Sequence, residues 1–266
     1  MERADRAPVS TFYAPGAWGP VVELDEGAAH HASVKRLAIG DPVRLTSGDG
    51  RRVRAVITEL AKRRLVVSIA GEDVEEVPAL PHVELWAPVG DRDRMLWLAE
   101  KATELGLSAW RPVVYRRSRS VSPRGEGDAF RGKVRARMIA ALEQSGGAWL
   151  PDLLPDTTLA EALPDVAPET GLLLDAGANP IYSMLSRLTS HDSRLASHDS
   201  PPSSHDSRLT STWRLTLALG PEGGLDPDEI DDLLAVGWRR ASLGPNVLRF
   251  ETAAIGALSI VRSHYW

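Results

Sequence analysis

The chain has 266 residues, 43% hydrophobic and 25% charged, a length for one large domain or two modest ones, and its net charge of −5 excludes a globally basic nucleic-acid binder. It contains no cysteine, which removes disulfides, thiolate zinc sites, iron–sulfur clusters and any cysteine nucleophile. No apolar run approaches the roughly 18 residues of a membrane span, and the N-terminus has no signal-peptide core, so a cytoplasmic protein with no membrane partner and no metal is expected.

In chain order, residues 1–75 read as β. Val43-Arg44-Leu45 leads into the turn Ser47-Gly48-Asp49-Gly50. Beyond it, Arg52 to Ile57 alternates and Leu65 to Ile69 is apolar. Short strands with tight glycine turns predict a small barrel. Gly71 to Pro81 is acidic with two prolines and reads as a linker.

From Val83 the rhythm changes. Val83 to Ala87 predicts a strand. Met95, Leu98, Ala99, Ala102 and Leu105 then fall at helical spacing, and Gly106 stands at the cap. Trp110 to Tyr115 returns to strand. Phe130, Val134, Met138, Ala141 and Leu142 mark a second amphipathic helix, and Gly171–Leu174 and Trp213–Leu219 are apolar strands. Strands alternating with helices predict an α/β domain with a mostly parallel sheet, whose ligands bind at the carboxyl ends of the strands. Between Arg111 and Arg137 stand nine basic and two acidic residues, which on charge alone read as a solvated surface.

Residues 186–211 break the pattern. Ser-His-Asp-Ser recurs at 190–193, 197–200 and 204–207, with nine serines in the segment and almost nothing apolar to bury. It reads as a disordered, low-complexity insert, and its histidines as products of serial duplication.

Gly220-Pro221-Glu222-Gly223-Gly224-Leu225 follows a strand directly and leads into Asp226-Pro227-Asp228-Glu229. Asp226 is an N-cap, Pro227 suits the first helical position, Glu229 completes a capping box, and Gly237 stops the helix. A strand, a glycine loop and a helix make a place for a ligand. No phosphate-binding lysine or G-x-G-x-x-G spacing is present, and six carboxylates between Pro221 and Asp232 oppose a pyrophosphate. A neutral or cationic ligand fits better, the sulfonium of S-adenosyl-L-methionine among them. A second such unit follows: Leu243-Gly244-Pro245-Asn246-Val247-Leu248-Arg249, then a helix opening on Glu251 and Thr252.

Leu-Gly-Pro-Glu-Gly-Gly-Leu at 219–225, with Leu-Gly-x-x-Val-Leu-Arg-x-Glu-Thr-Ala at 243–253, resembles the bacterial small-subunit ribosomal RNA uridine-N3 methyltransferases, the RsmE family of the SPOUT class. His30-His31, Val34-Lys35-Arg36-Leu37 and Gly40-Asp41 resemble the family's N-terminal barrel motif. Lys101 to Gly106 and Glu143-Gln144-Ser145 resemble signatures early in its catalytic domain. The resemblance covers nearly the whole chain except the insert.

It implies a PUA-like RNA-binding β-barrel over 1–75 and a SPOUT α/β methyltransferase domain with a deep trefoil knot over 82–266, with 186–211 as the insert. It also implies a homodimer that methylates uridine N3 in 16S ribosomal RNA, within the small ribosomal subunit. By the same resemblance, Leu219, Gly220, Pro221, Glu222, Gly223, Gly224, Leu243, Gly244, Val247, Leu248 and Thr252 would hold S-adenosyl-L-methionine. Arg249 would stabilise the imide anion that forms as uridine N3 loses its proton. Glu251 would orient Arg249 or, in second place, accept that proton. RNA contacts are expected from Arg51, Arg52 and Arg54 in the barrel and from Arg116, Arg117, Arg119 and Arg124 beyond it. His30 and His31 are expected to pack within the barrel. The chain departs from the family at Gly147 or Ala148 and at Ser10-Thr11, where an arginine is usual. The alternatives are a SPOUT enzyme for another RNA or base atom, and a ribosome-assembly factor without turnover.

Overall fold

The computed structural model describes residues 9–69, 74–118, 125–165, 170–185 and 214–264. The 186–211 insert, Trp213, Arg119 and Arg124 lie outside these residues. The chain divides into two units, Met1–Pro78 with Ile139–Leu150, and Ala79–Met138 with Pro151–Trp266.

The first unit is a six-stranded sheet built from β1 (Ser10–Tyr13), β2 (Val21–Leu24), β3 (Pro42–Thr46), β4 (Arg51–Ala61), β5 (Arg64–Ile69) and the short β6 (Glu75–Glu76). Its order is β1-β3-β4-β5-β2, with β6 on β4, and β1 pairs parallel to β3 while the other pairs are antiparallel. Alternation along β4 buries Val53, Ala55 and Ile57 and leaves Arg54 exposed. These side chains join Phe12, Val43, Leu45, Leu65 and Val67 in one core.

Two features of this unit differ from the sequence reading. A helix, α1 (Glu26–Val34), lies inside the stretch read as β. Asp25 caps it by accepting the Ala28 N–H at 3.0 Å, and Ala29 and Ala32 are the small residues it buries. The expected linker is in part a strand: Glu75 and Glu76 pair with Arg52 and Arg51, and the Arg52 guanidinium meets the Glu75 carboxylate at 2.6 Å.

The second unit is a seven-stranded sheet of β7 (His82–Pro88), β8 (Ala109–Val114), β9 (Asp152–Leu153), β10 (Thr157–Thr158), β11 (Gly171–Leu174), β12 (Arg214–Leu219) and β13 (Arg239–Ala241). Its order is β10-β8-β7-β12-β11-β13, with β9 on β8, and every pair is parallel. Central strands covered on both faces need apolar side chains throughout, and Leu215, Leu217, Ala218 and Leu219 are all buried. Its helices among the described residues include α2 (Arg92–Glu104), α3 (Asp128–Ser145, whose residues from Ile139 on belong to the first unit), α4 (Leu159–Ala162), α5 (Pro227–Ala235) and α6 (Phe250–His264). All five predicted apolar positions of α3 are buried. The α/β expectation is met, with the parallel sheet confined to the second unit.

Glu143, on α3, falls in the first unit rather than with the catalytic signatures. Its carboxylate accepts the Tyr13 N–H at 2.8 Å and lies 3.1 Å from His31 Nδ1, and the His31 ring is 5.3 Å from that of Phe12. His31 thus packs as expected, whereas His30 is exposed.

Candidate active site

Register brings the two glycine loops to one edge of the parallel sheet. Leu174, the last residue of β11, is opposite Leu219 on β12 and Ala241 on β13, so three neighbouring strands end together. The loops 220–226 and 242–249 both leave from that edge, where parallel sheets bind their ligands.

The first loop is closed by its own glycine and by the helix that follows. Gly224 adopts φ 73°, and its N–H donates to the Pro221 carbonyl at 2.8 Å. Asp226 caps α5 with Pro227 in its first turn. Glu229 returns the capping box by accepting the Asp226 N–H at 2.9 Å. Glu229 is buried, and its second oxygen accepts the Arg116 N–H at 2.8 Å. Burial above all, and then the same carboxylate, push the Tyr115 phenol well up, so it stays neutral.

In the second loop the organising side chain is Ser242. Its Oγ accepts the Gly244 N–H at 3.0 Å and donates to the Gly244 carbonyl at 2.9 Å, while its backbone N–H donates to Asn179 at 2.7 Å. Gly244 takes φ 145°, and a Cβ there or on Gly224 would meet nothing within 4 Å. Main chain at both glycines is therefore open to a ligand. Val247 is 91% exposed and Leu248 41%, and Arg249 and Thr252 are exposed too. Leu219 is buried at the strand end, Gly220, Pro221, Leu243 and Gly244 are half-buried, and Glu222 and Gly223 are exposed.

A residue that the sequence reading missed joins these parts. Arg94, in the first turn of α2, pairs through Nη1 with Glu222 of the first loop, and its Nε is 3.8 Å from Glu251 Oε1 at the start of α6. Glu251 is 8% exposed, and its other oxygen, Oε2, is buried with no hydrogen-bond partner among the described residues. Its cationic neighbour is Arg94 and not the expected Arg249. The only signal for Arg94 in sequence is its place just after Asp91, a helix N-cap, where a cation opposes the helix dipole.

The expected RNA-contact arginines divide into paired and differently placed groups. Arg51 makes two hydrogen bonds to Asp49, at 2.8 and 3.0 Å, and Arg52 binds Glu75 and the Gly146 carbonyl. Arg54 is exposed on β4. Arg116 pairs with Asp228 at 2.8 Å and Arg117 with Asp226 at 3.3 Å, which places both beside the first glycine loop. Around that edge Arg94, Arg116, Arg117 and Arg240 all face carboxylates, so the site holds little unmatched positive charge for a pyrophosphate. An open glycine main chain beside carboxylates fits a cationic ligand. No group of three or more metal-ligating side chains occurs among the described residues, and no described helix is long and apolar enough to cross a membrane.

Comparison with known proteins agrees with this arrangement. A family profile described as an RNA methyltransferase domain matches residues 78–262, and one described as an RNA methyltransferase PUA domain matches 24–70. The ribosomal RNA small subunit methyltransferase E of Mycobacterium bovis is 27% identical over 250 residues, covering 92% of this chain and 87% of that protein. A methyltransferase from Legionella pneumophila, solved with bound SAM, superposes with a TM-score of 0.74 at 27% identity, over 97% of this chain and 98% of that one. A ribosomal RNA small subunit methyltransferase E from Neisseria gonorrhoeae, bound to S-adenosyl methionine, superposes with a TM-score of 0.76 at 26% identity, over the same shares of 97% and 98%.

Proposed function

Because the chain belongs to the RNA methyltransferase family, we propose that it methylates N3 of a uridine in 16S ribosomal RNA of the small ribosomal subunit, with S-adenosyl-L-methionine as methyl donor. The relatives' names and their bound cofactor support the RNA class and the donor. The observation that carries the choice of atom is the buried, unpartnered Oε2 of Glu251 at the edge where the glycine loops leave the sheet. A carboxylate oxygen without a donor suits a substrate that brings an N–H, and N3 is the atom of uracil that carries one.

The main chain of 219–224 and 243–248, with Thr252, would hold the cofactor, whose sulfonium supplies an electrophilic methyl group. The N3–H proton passes to Glu251 Oε2. Loss of that proton would leave the N3 lone pair free to accept the methyl group that the sulfonium would supply, with the neutral thioether as leaving group. Arg249, exposed beside the loop, stabilises the imide anion as it forms. The exposed apolar side chains Val247 and Leu248 suit burial by the cofactor and by a second protomer, in keeping with the homodimer that the resemblance implies. The trefoil knot, the barrel's RNA contacts through Arg51, Arg52 and Arg54, the contacts of Arg116, Arg117, Arg119 and Arg124 and a cytoplasmic location complete this reading.

The test is transfer of labelled methyl from S-adenosyl-L-methionine to small ribosomal subunits lacking base methylation, with the RNA digested to nucleosides. A 3-methyluridine product is expected. Label in another nucleoside would overturn the atom, and no transfer with the cofactor still bound would point to another RNA or to a factor without turnover.

A further inference from the structure

We infer that Arg94 is a positioning residue for methyl transfer, tying the first glycine loop to Glu251 and holding that carboxylate through Oε1, so that Oε2 is left as the acceptor. The inference rests on the uridine-N3 reading above.

The root of Arg94 is fixed before its charge is considered. Asp91 caps α2 by accepting the N–H groups of Asp93 at 3.0 Å and Arg94 at 3.1 Å, and the next side chain, Met95, is buried. A cation in the first turn of a helix opposes the helix dipole, so α2 itself gains nothing from Arg94. What offsets that position is the pair of carboxylates outside the helix, Glu222 on the loop and Glu251 on α6. Helix α6 packs against α2, which keeps Glu251 within reach.

The two carboxylates receive different things from one guanidinium. Glu222, with 58% of its side chain exposed, is held by Nη1, and this fixes the cofactor loop. Glu251, with 11% exposed, faces Nε through Oε1 alone. Since Oε1 faces Arg94, Oε2 is the oxygen left for a proton. The same division leaves Arg249 without an ion pair among the described residues, free for the substrate's anion.

The test uses the full chain, S-adenosyl-L-methionine and unmethylated small subunits, with Arg94→Met, Arg94→Lys, Glu251→Gln and the Arg94→Met/Glu251→Gln double variant. Arg94→Met should lower kcat about 10- to 100-fold at a nearly unchanged Tm, through a misplaced acceptor. Its affinity for the cofactor should fall only roughly three- to tenfold, because the loop is freed but not removed. Arg94→Lys should recover part of kcat, since an ammonium keeps the charge but not the fork. The double variant should be no slower than Glu251→Gln alone, because Arg94 acts through Glu251. Losses that multiply in the double variant, or Arg94→Met within twofold of the parent, would overturn the inference. If Arg94→Met does not fold, the Lys variant decides: parent-like kcat would overturn the assignment, and a partial loss absent from the Glu251→Gln background would support it. If the parent chain itself transfers no methyl group, the uridine reading has failed instead. Cofactor titration then judges Arg94 alone, with weakened binding in Arg94→Met supporting the loop tie and unchanged binding overturning it.

Discussion

Glu229 accepts the backbone N–H of Arg116 at 2.8 Å across 113 residues of sequence, while its other oxygen closes the cap of α5 on Asp226. One buried carboxylate thus joins the end of β8 to the loop that leaves β12. Hydrogen bonds to a charged acceptor are each worth more than neutral ones, and removing the carboxylate strands two donors. Glu229→Ala is expected to cost about 2–3 kcal/mol of unfolding free energy. It should also weaken cofactor binding, because the 220–226 loop loses its anchor. Urea titration checks the first effect and calorimetry the second; a stability loss below about 0.5 kcal/mol would show that the bridge is dispensable.

Gly171 tests close packing in the parallel sheet. A Cβ built there would run into the ring of Trp238, which packs tilted at 45° against that of Trp86 with centroids 5.0 Å apart. Glycine-to-alanine changes in compatible backbone usually stabilise by roughly half a kcal/mol through the unfolded chain. Here the sign should reverse, with Gly171→Ala losing about 3 kcal/mol as Trp238 is driven off Trp86. Equal or higher stability in urea would mean that the ring has room to move.

The start of α5 is legible in sequence because Asp226, Pro227, Glu229 and Gly237 act on their own neighbours, and each takes the predicted role. The second partner of Glu229 is not legible, since nothing local marks the Arg116 N–H as its donor. Arg94 is hidden for the same reason: its partner Glu222 is 128 residues away, and spacing along one element cannot show it. Four strands of the parallel sheet, β7, β8, β11 and β12, read clearly as apolar runs, whereas β9, β10 and β13, two or three residues each, carry no apolar run to read. Helix α1 and strand β6 are not legible either, because nine residues with two buried alanines and a two-residue acidic strand carry little periodicity. Glu75 and Glu76 form a strand through the chain they pair with, Arg51 and Arg52, and not through their own propensity.

Asp49 gives the first unit an acid-sensitive contact. The Arg51 guanidinium, through its hydrogen bonds, holds the Asp49 carboxyl well down, at about 2 against an ordinary 3.8. A carboxyl lowered in the folded state contributes stability above the unfolded value, and that contribution is lost as pH falls from about 4 towards 2. With 40% of the Asp49 side chain exposed, solvent screening keeps the gain below about 1 kcal/mol. Asp49→Asn should therefore be slightly less stable than the parent at pH 7 and nearly equal to it near pH 2. A gap in urea midpoints that stays constant across that range would remove the ion pair from the account.

Arg249 is the side chain whose loss should separate chemistry from binding. It is exposed, it stands one residue before α6, and it has no ion pair among the described residues, so removing it breaks no ion pair there. The proposed cofactor contacts are main-chain groups of the two loops, which Arg249→Ala leaves in place. Transfer should fall by about 10²- to 10³-fold, the scale of losing a donor to a developing anion. Cofactor affinity should stay within about twofold, and Tm should not move. Arg249→Lys should restore only part of the rate, since a point charge replaces a planar fork on a planar base. Single-turnover transfer with saturating cofactor reads this directly, because it excludes product release. Parent-like turnover in Arg249→Ala would take the residue out of the mechanism and leave Glu251, supported by Arg94, to act alone.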